Sequence, residues 1–128
     1  MIKMSDILLS IIIPAYNAAT FLRETIDSII KDIGDAKQVE LLIVNDGSTD
    51  NTKQVIEQIK LENSNIIINH YSKENGGLSD ARNFGICKAL GKYVWCFDSD
   101  DIIEKGSIFK ILTKLKEQNF KKEVRLNL

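Results

Sequence analysis

Four short apolar runs, each followed by a segment of helical spacing, constrain the fold of this chain more than any other feature. Residues 8–13, 39–44, 66–72 and 93–97 are rich in β-branched and aromatic side chains, as strands are. Their hydrophobicity is continuous rather than alternating, which marks strands covered on both faces in a parallel sheet. In the first intervening segment Phe21, Leu22, Thr25, Ile26, Ile29, Ile30 and Ile33 recur at helical period, while Arg23, Glu24, Asp27 and Lys31 fall opposite. Val55, Ile56 and Ile59 repeat the pattern after "GSTD", whose side-chain oxygens suit a helix start. A third helix is predicted over 78–90, stopped by Gly91. A fourth is predicted over 107–118, with Ile108, Ile111, Leu112 and Leu115 inward. The order βαβαβαβα predicts an α/β fold, a three-layer α/β/α sandwich on a mostly parallel sheet. On the pattern of half a doubly wound sheet the strand order is 3-2-1-4. The first and fourth strands then flank the switch point, where ligands bind beyond the carboxyl ends of the strands.

At 128 residues the chain holds one core. The pattern spans 1–118; the tail 119–128, "NFKKEVRLNL", has no periodicity and is expected to be disordered. A net charge of −1 and a pI near 5.8 exclude the basic excess of a nucleic-acid binder. Cys87 and Cys96 form no CxxC and no zinc spacing, so they are expected to be free, buried thiols in a reducing cytosol. The lone His70 is expected at a strand end. The apolar start is broken by Asp6 and followed by a turn-like "PAYN", which fits a first buried strand better than a signal peptide. No segment approaches the roughly 18 apolar residues of a membrane span.

Polar clusters fall at the predicted strand ends: "PAYN" (Pro14, Ala15, Tyr16, Asn17), "NDGSTD" from Asn45 to Asp50, and "DSDD" from Asp98 to Asp101. Between the third and fourth strands lies "ENGGLSDARN", a glycine-hinged loop entering a helix. Each alone has a plain explanation: a turn, a turn plus helix cap, a solvated helix face around Asp80 and Arg82. Their joint placement on one edge of the sheet favours a site. Asp98, Asp100 and Asp101 repel one another at the end of a buried strand, a cost that a divalent cation removes. Hard ions such as Mn²⁺ or Mg²⁺ take carboxylate oxygens and complete their shell with water and phosphate. In "DSD" the outer carboxylates leave the strand on the same side, so Asp98 and Asp100 can address one ligand. Ile102 stands where an EF-hand loop needs an oxygen ligand. Neither GxGxxG nor GxxxxGK[ST] follows the first strand. A diphosphate held through a metal then suggests a nucleoside diphosphate carrying a leaving group.

"SIIIPAYNAATFLRETIDSI", "ELLIVNDGSTDNT", "NGGLSDARNFGI" and "YVWCFDSDD" resemble, in order and spacing, the front half of family 2 glycosyltransferases, over roughly residues 8–103. The resemblance implies the GT-A fold and inverting transfer of sugar from a nucleotide sugar, usually UDP-linked. It would make Pro14, Ala15 and Tyr16, with Asn17 beside them, the wall of the base and ribose pocket. Asp46, held by Gly47, would accept a hydrogen bond from uracil. Arg82 would lie near base and diphosphate, Asp98 would bind the ribose hydroxyls, and Asp100 with Asp98 would hold the metal. Asp101 would cap or orient. The partners implied are a UDP-sugar donor and a glycan or lipid-linked acceptor, at the cytoplasmic, inner face of a membrane. Family members continue for another hundred or more residues, carrying the base that deprotonates the acceptor. This sequence offers no candidate for it, since Glu104 follows the metal motif too closely. The chain is therefore expected to be the donor half of an enzyme, weakly active alone, and to associate with copies of itself through uncovered apolar surface. The alternative is a non-catalytic nucleotide-sugar-binding module or inactive remnant.

Overall fold

The computed structural model describes residues 6–118, so the expectation for the tail 119–128 lies outside the described residues. The elements alternate as expected: β1 (Leu9–Ala15), α1 (Leu22–Ile33), β2 (Val39–Asp46), α2 (Thr52–Glu62), β3 (Ile67–Lys73), α3 (Leu78–Lys88), β4 (Tyr93–Cys96) and α4 (Ser107–Gln118). All strand pairings are parallel and the order is β3-β2-β1-β4. β1 and β2 are buried along their whole length, which is why their apolar runs do not alternate.

Two helical layers cover the sheet. On one face Leu9, Ile11 and Ile13 of β1 pack with Leu41 and Ile43 of β2 against Leu22, Ile26 and Ile29 of α1, Ile56 and Ile59 of α2, and Ile108, Leu112 and Leu115 of α4. Each fully buried side chain of this type stabilises the fold by about 1.5–3 kcal/mol relative to exposure. On the other face Ile12, Leu42, Val44 and Val94 meet Ala81 and Phe84 of α3. Gly85 lets α3 approach, because a Cβ there would lie 2.5 Å from a methyl of Ile12.

Below α3 a polar network replaces apolar packing. Glu40 is fully buried and accepts hydrogen bonds from Ser10 Oγ (2.6 Å), Asn69 Nδ2 (2.6 Å) and the Leu90 amide (3.1 Å). Gly91 donates to Ser10 Oγ at 2.9 Å. This corrects the reading of Gly91 as a helix stop. α3 ends at Lys88, and Gly91 is needed where the following loop presses on β1, since its Cβ would fall 2.8 Å from the Ser10 amide. Two further expectations change. Cys87 is exposed and Cys96 half-buried, because Cys87 falls on the outer side of α3. His70 lies inside β3, not at its end.

Candidate functional site

At the carboxyl edge of the sheet, β1, β2 and the segment after β4 deliver their polar ends side by side. A pocket of about 270 Å³ opens there, lined by Pro14, Ala15, Tyr16, Asp46, Asn75, Gly77, Leu78, Ala81 and Ser99. Pro14, Ala15, Tyr16 and Asp46 were expected from the sequence. Tyr16 and Leu78 are half exposed, at 50% and 52%, large apolar side chains left open on the pocket wall. Larger hollows are lined by other residues: one along the outer side of α4, one between α1 and residues 103–106, and one beside residues 36–39.

Asp46 is the most constrained residue of the pocket. It is 3% exposed, and its carboxylate meets a donor on every side. Oδ1 accepts from Lys73 Nζ and the Gly76 amide, both at 3.0 Å. Oδ2 accepts from the Gly77 amide at 3.0 Å and from Asn75 Nδ2 at 3.3 Å. Burial pushes the carboxyl up, but the Gly76 amide, the Lys73 ammonium and the Gly77 amide outweigh it and hold it below the ordinary carboxylate range. Gly47, with φ +71°, turns the chain after β2 so tightly that a Cβ would sit 2.6 Å from the Asn75 amide nitrogen.

Asn17 does something other than line the pocket. In the left-handed region at φ 49°, its Oδ1 accepts from the Thr49 amide (2.8 Å), Thr49 Oγ1 (3.3 Å) and the Asp50 amide (3.3 Å), while its own amide donates to Ser48 Oγ (3.0 Å). It staples the loop after β1 to the loop after β2. The Thr52 hydroxyl holds the Asp50 carboxyl down.

The acidic segment begins one residue after the last β1–β4 contact, where the Phe97 amide donates to Ile12 O at 2.8 Å. Ligand oxygens of Asp98, Asp100 and Asp101 all lie within 4.8 Å of one another, and all three residues are exposed. Three convergent carboxylates without sulfur or imidazole suit a hard divalent cation. Asp101 therefore stands with the other two and not apart from them. α1 fixes this segment: Thr25 Oγ1 donates to Ser99 O at 2.8 Å, Ile103 N to Ser28 Oγ at 3.2 Å, and Asp32 accepts from the amides of Gly106 (2.7 Å) and Ile108 (2.9 Å). Arg82 reaches from α3 to Asp98 Oδ1 at 3.1 Å. The pair is half exposed and as a surface ion pair worth under about 1 kcal/mol. Arg82 Nε, however, is buried with no protein partner. Burial pushes the neighbouring Cys96 thiol up.

Sequence reasoning missed Lys73, Asn75, Leu78, Ala81 and Ser99. The glycine pair Gly76–Gly77 was the available signal for the loop, since backbone amides aimed at a carboxylate need close approach. Lys73 gave none.

The model of glycosyl transferase family 2 matches residues 10–121. An uncharacterized glycosyltransferase of Mycoplasma genitalium is 39% identical over 102 residues, 78% of this chain and 34% of that protein. The uncharacterized glycosyltransferase EpsJ of Bacillus subtilis is 38% identical over 112 residues, 88% of this chain and 31% of that one. The crystal structure of S. aureus TarS in complex with UDP-GlcNAc superposes with a TM-score of 0.79 at 28% identity, covering 88% of this chain and 32% of that one. The chain thus spans about a third of the length of these relatives.

Proposed function

Because the chain belongs to glycosyl transferase family 2, we propose that it is the donor-binding portion of an inverting enzyme that moves sugar from a UDP-sugar to a glycan or lipid-linked acceptor. One observation carries this reading: the pocket around Asp46 and the acidic cluster open on the same sheet edge, where a base and a diphosphate can be held together. The TarS complex with UDP-GlcNAc supports the choice of donor.

In this reading Pro14, Ala15, Tyr16 and Leu78 wall the base. Asp46 accepts from the uracil ring N–H through Oδ2, whose 3.3 Å bond from Asn75 is the one exchanged. Asn75 retains its 3.0 Å bond to the Asp46 main-chain oxygen, so the turn stays in place. Gly47 keeps the strand end close to that turn. Asp98 takes the ribose hydroxyls, Arg82 turns its unpaired Nε toward the diphosphate, and Asn17 sets the spacing of the loops. Asp98 and Asp100, with Asp101 beside them, would hold Mn²⁺ or Mg²⁺. Such an ion supplies neutralisation of the charge that develops on a departing diphosphate. Exposed Phe109 (75%) and Ile102 (53%) are where a second copy of the chain would pack. Among the described residues no helix is long and apolar enough to cross a membrane; action at the inner face of one is part of the proposal.

The test is calorimetry with Mn²⁺ present. UDP is expected to bind at least tenfold (about 1.4 kcal/mol) more tightly than ADP, whose ring edge presents an acceptor where uracil presents a donor, and more tightly than the bulkier GDP. Equal or better binding of either purine nucleotide removes the role given to Asp46.

A further inference from the structure

We propose that Lys73 is a positioning residue for base recognition: by spanning Asp46 and Asp80 it sets the orientation of the Asp46 carboxylate and of the 75–77 turn wrapped around it. This rests on the reading of the pocket as a uracil site.

Lys73 and Asp46 are the last residues of β3 and β2 and are partners in the parallel register. Their side chains therefore leave the sheet on one face, toward α3. The ammonium bonds Asp46 Oδ1, the Glu74 carbonyl and the Asp80 carboxylate in the first turn of α3. A solvated surface pair would look different, for the Lys73 side chain is only 15% exposed and ties two strands to a helix. The turn is shaped around this bridge. A Cβ on Gly76 would lie 2.2 Å from Asp80 Oδ2 and 3.0 Å from Lys73 Nζ, so a side chain there would displace the Asp80 end of the bridge. Lys73 does not line the pocket and acts through Asp46.

The consequence for recognition is one of polarity. Asp46 serves a ring N–H best with its carboxylate Oδ2 toward the pocket. The charged groups facing it are Lys73 and, beyond the ammonium, Asp80. Without the cation, burial and the Asp80 charge push the Asp46 carboxyl up, and Oδ1 keeps only the Gly76 amide, so the carboxylate is no longer held with Oδ2 toward a ring donor.

Two measurements on the full chain test this, for K73M and K73R beside the parent. The first follows the Asp46 side-chain carboxyl carbon by NMR through a pH titration. K73M should raise its midpoint by about one pH unit or more, and K73R should restore it. The second compares UDP with N3-methyl-UDP in the presence of Mn²⁺. The parent should lose about tenfold or more on methylation, K73M should lose only about twofold, and K73R should behave as the parent. An unmoved Asp46 midpoint in K73M overturns the proposal, as does K73M weakening both nucleotides by the same factor. If the parent binds the two nucleotides equally, the uracil reading fails and base recognition by this route with it; the carboxyl titration then decides separately whether Lys73 governs Asp46.

Discussion

Gly47→Ala is the sharpest probe of how the strand end and the 75–77 turn depend on each other. Two costs add at this position. With φ +71° a side chain sits in the left-handed region, at about 1–2 kcal/mol. Its Cβ would also lie 2.6 Å from the Asn75 amide nitrogen and 3.1 Å from the Asn75 Cα. These are backbone atoms with no rotamer to yield, and forcing them apart costs about 1–3 kcal/mol more. The sum, roughly 2–5 kcal/mol, should lower Tm by roughly 10 °C or more in a chain of this size. Gly106→Ala is the internal control, since φ is +89° there with nothing within 4 Å of the added carbon. It should cost the strain alone. Urea denaturation of both variants gives the difference directly. UDP affinity should fall in Gly47→Ala and not in Gly106→Ala, because the turn that moves supplies the Gly76 and Gly77 amides to Asp46. If the two variants lose the same stability, the contact with Asn75 contributes nothing and the argument for a coupled strand end and turn fails.

Asp100→Ala should abolish the Mn²⁺ dependence of UDP binding measured by calorimetry, and Asp101→Ala should weaken it less; the reverse order would exchange their roles. Asp46 is held below the ordinary carboxylate range, so its contribution is present above its unfolded pKa and is lost as pH falls through the lower folded value. Denaturation at several pH values should therefore show Asp46→Asn destabilised at neutral pH, with the gap to the parent closing as pH falls below the ordinary carboxylate range. The 128-residue chain should show at most slow, metal-dependent hydrolysis of UDP-sugars, absent in Asp100→Ala. A general base contributes about 10²–10⁴ in rate and acceptor positioning effective molarities of roughly 10⁵–10⁸ M, so efficient acceptor-dependent transfer in a UDP-release assay would place a base among these residues.

The features legible in the sequence are those whose cause is local. Continuous apolar runs reported burial on both faces, and strand order followed from the rule for doubly wound sheets; both hold in β1 and β2 and in the order β3-β2-β1-β4. The acidic cluster was legible because its residues lie within one turn of chain and share a strand end. What escaped depends on pairings across the sheet. Asn17 reads in sequence as part of a pocket wall, yet its side-chain oxygen accepts from the amides of Thr49 and Asp50, more than thirty residues away. Asp32 of α1 caps the start of α4, more than seventy residues on. Gly91 reads as a helix stop and instead clears β1. Lys73 is the limiting case. A lysine at a strand end is ordinarily a solvated charge, and only the register that sets it beside Asp46, with the missing Cβ of Gly76, makes it part of the site. The residues that touch a ligand are confined to strand ends and can be read there. The residues that orient them lie wherever topology brings a complementary group, and one-dimensional spacing carries no signal of that.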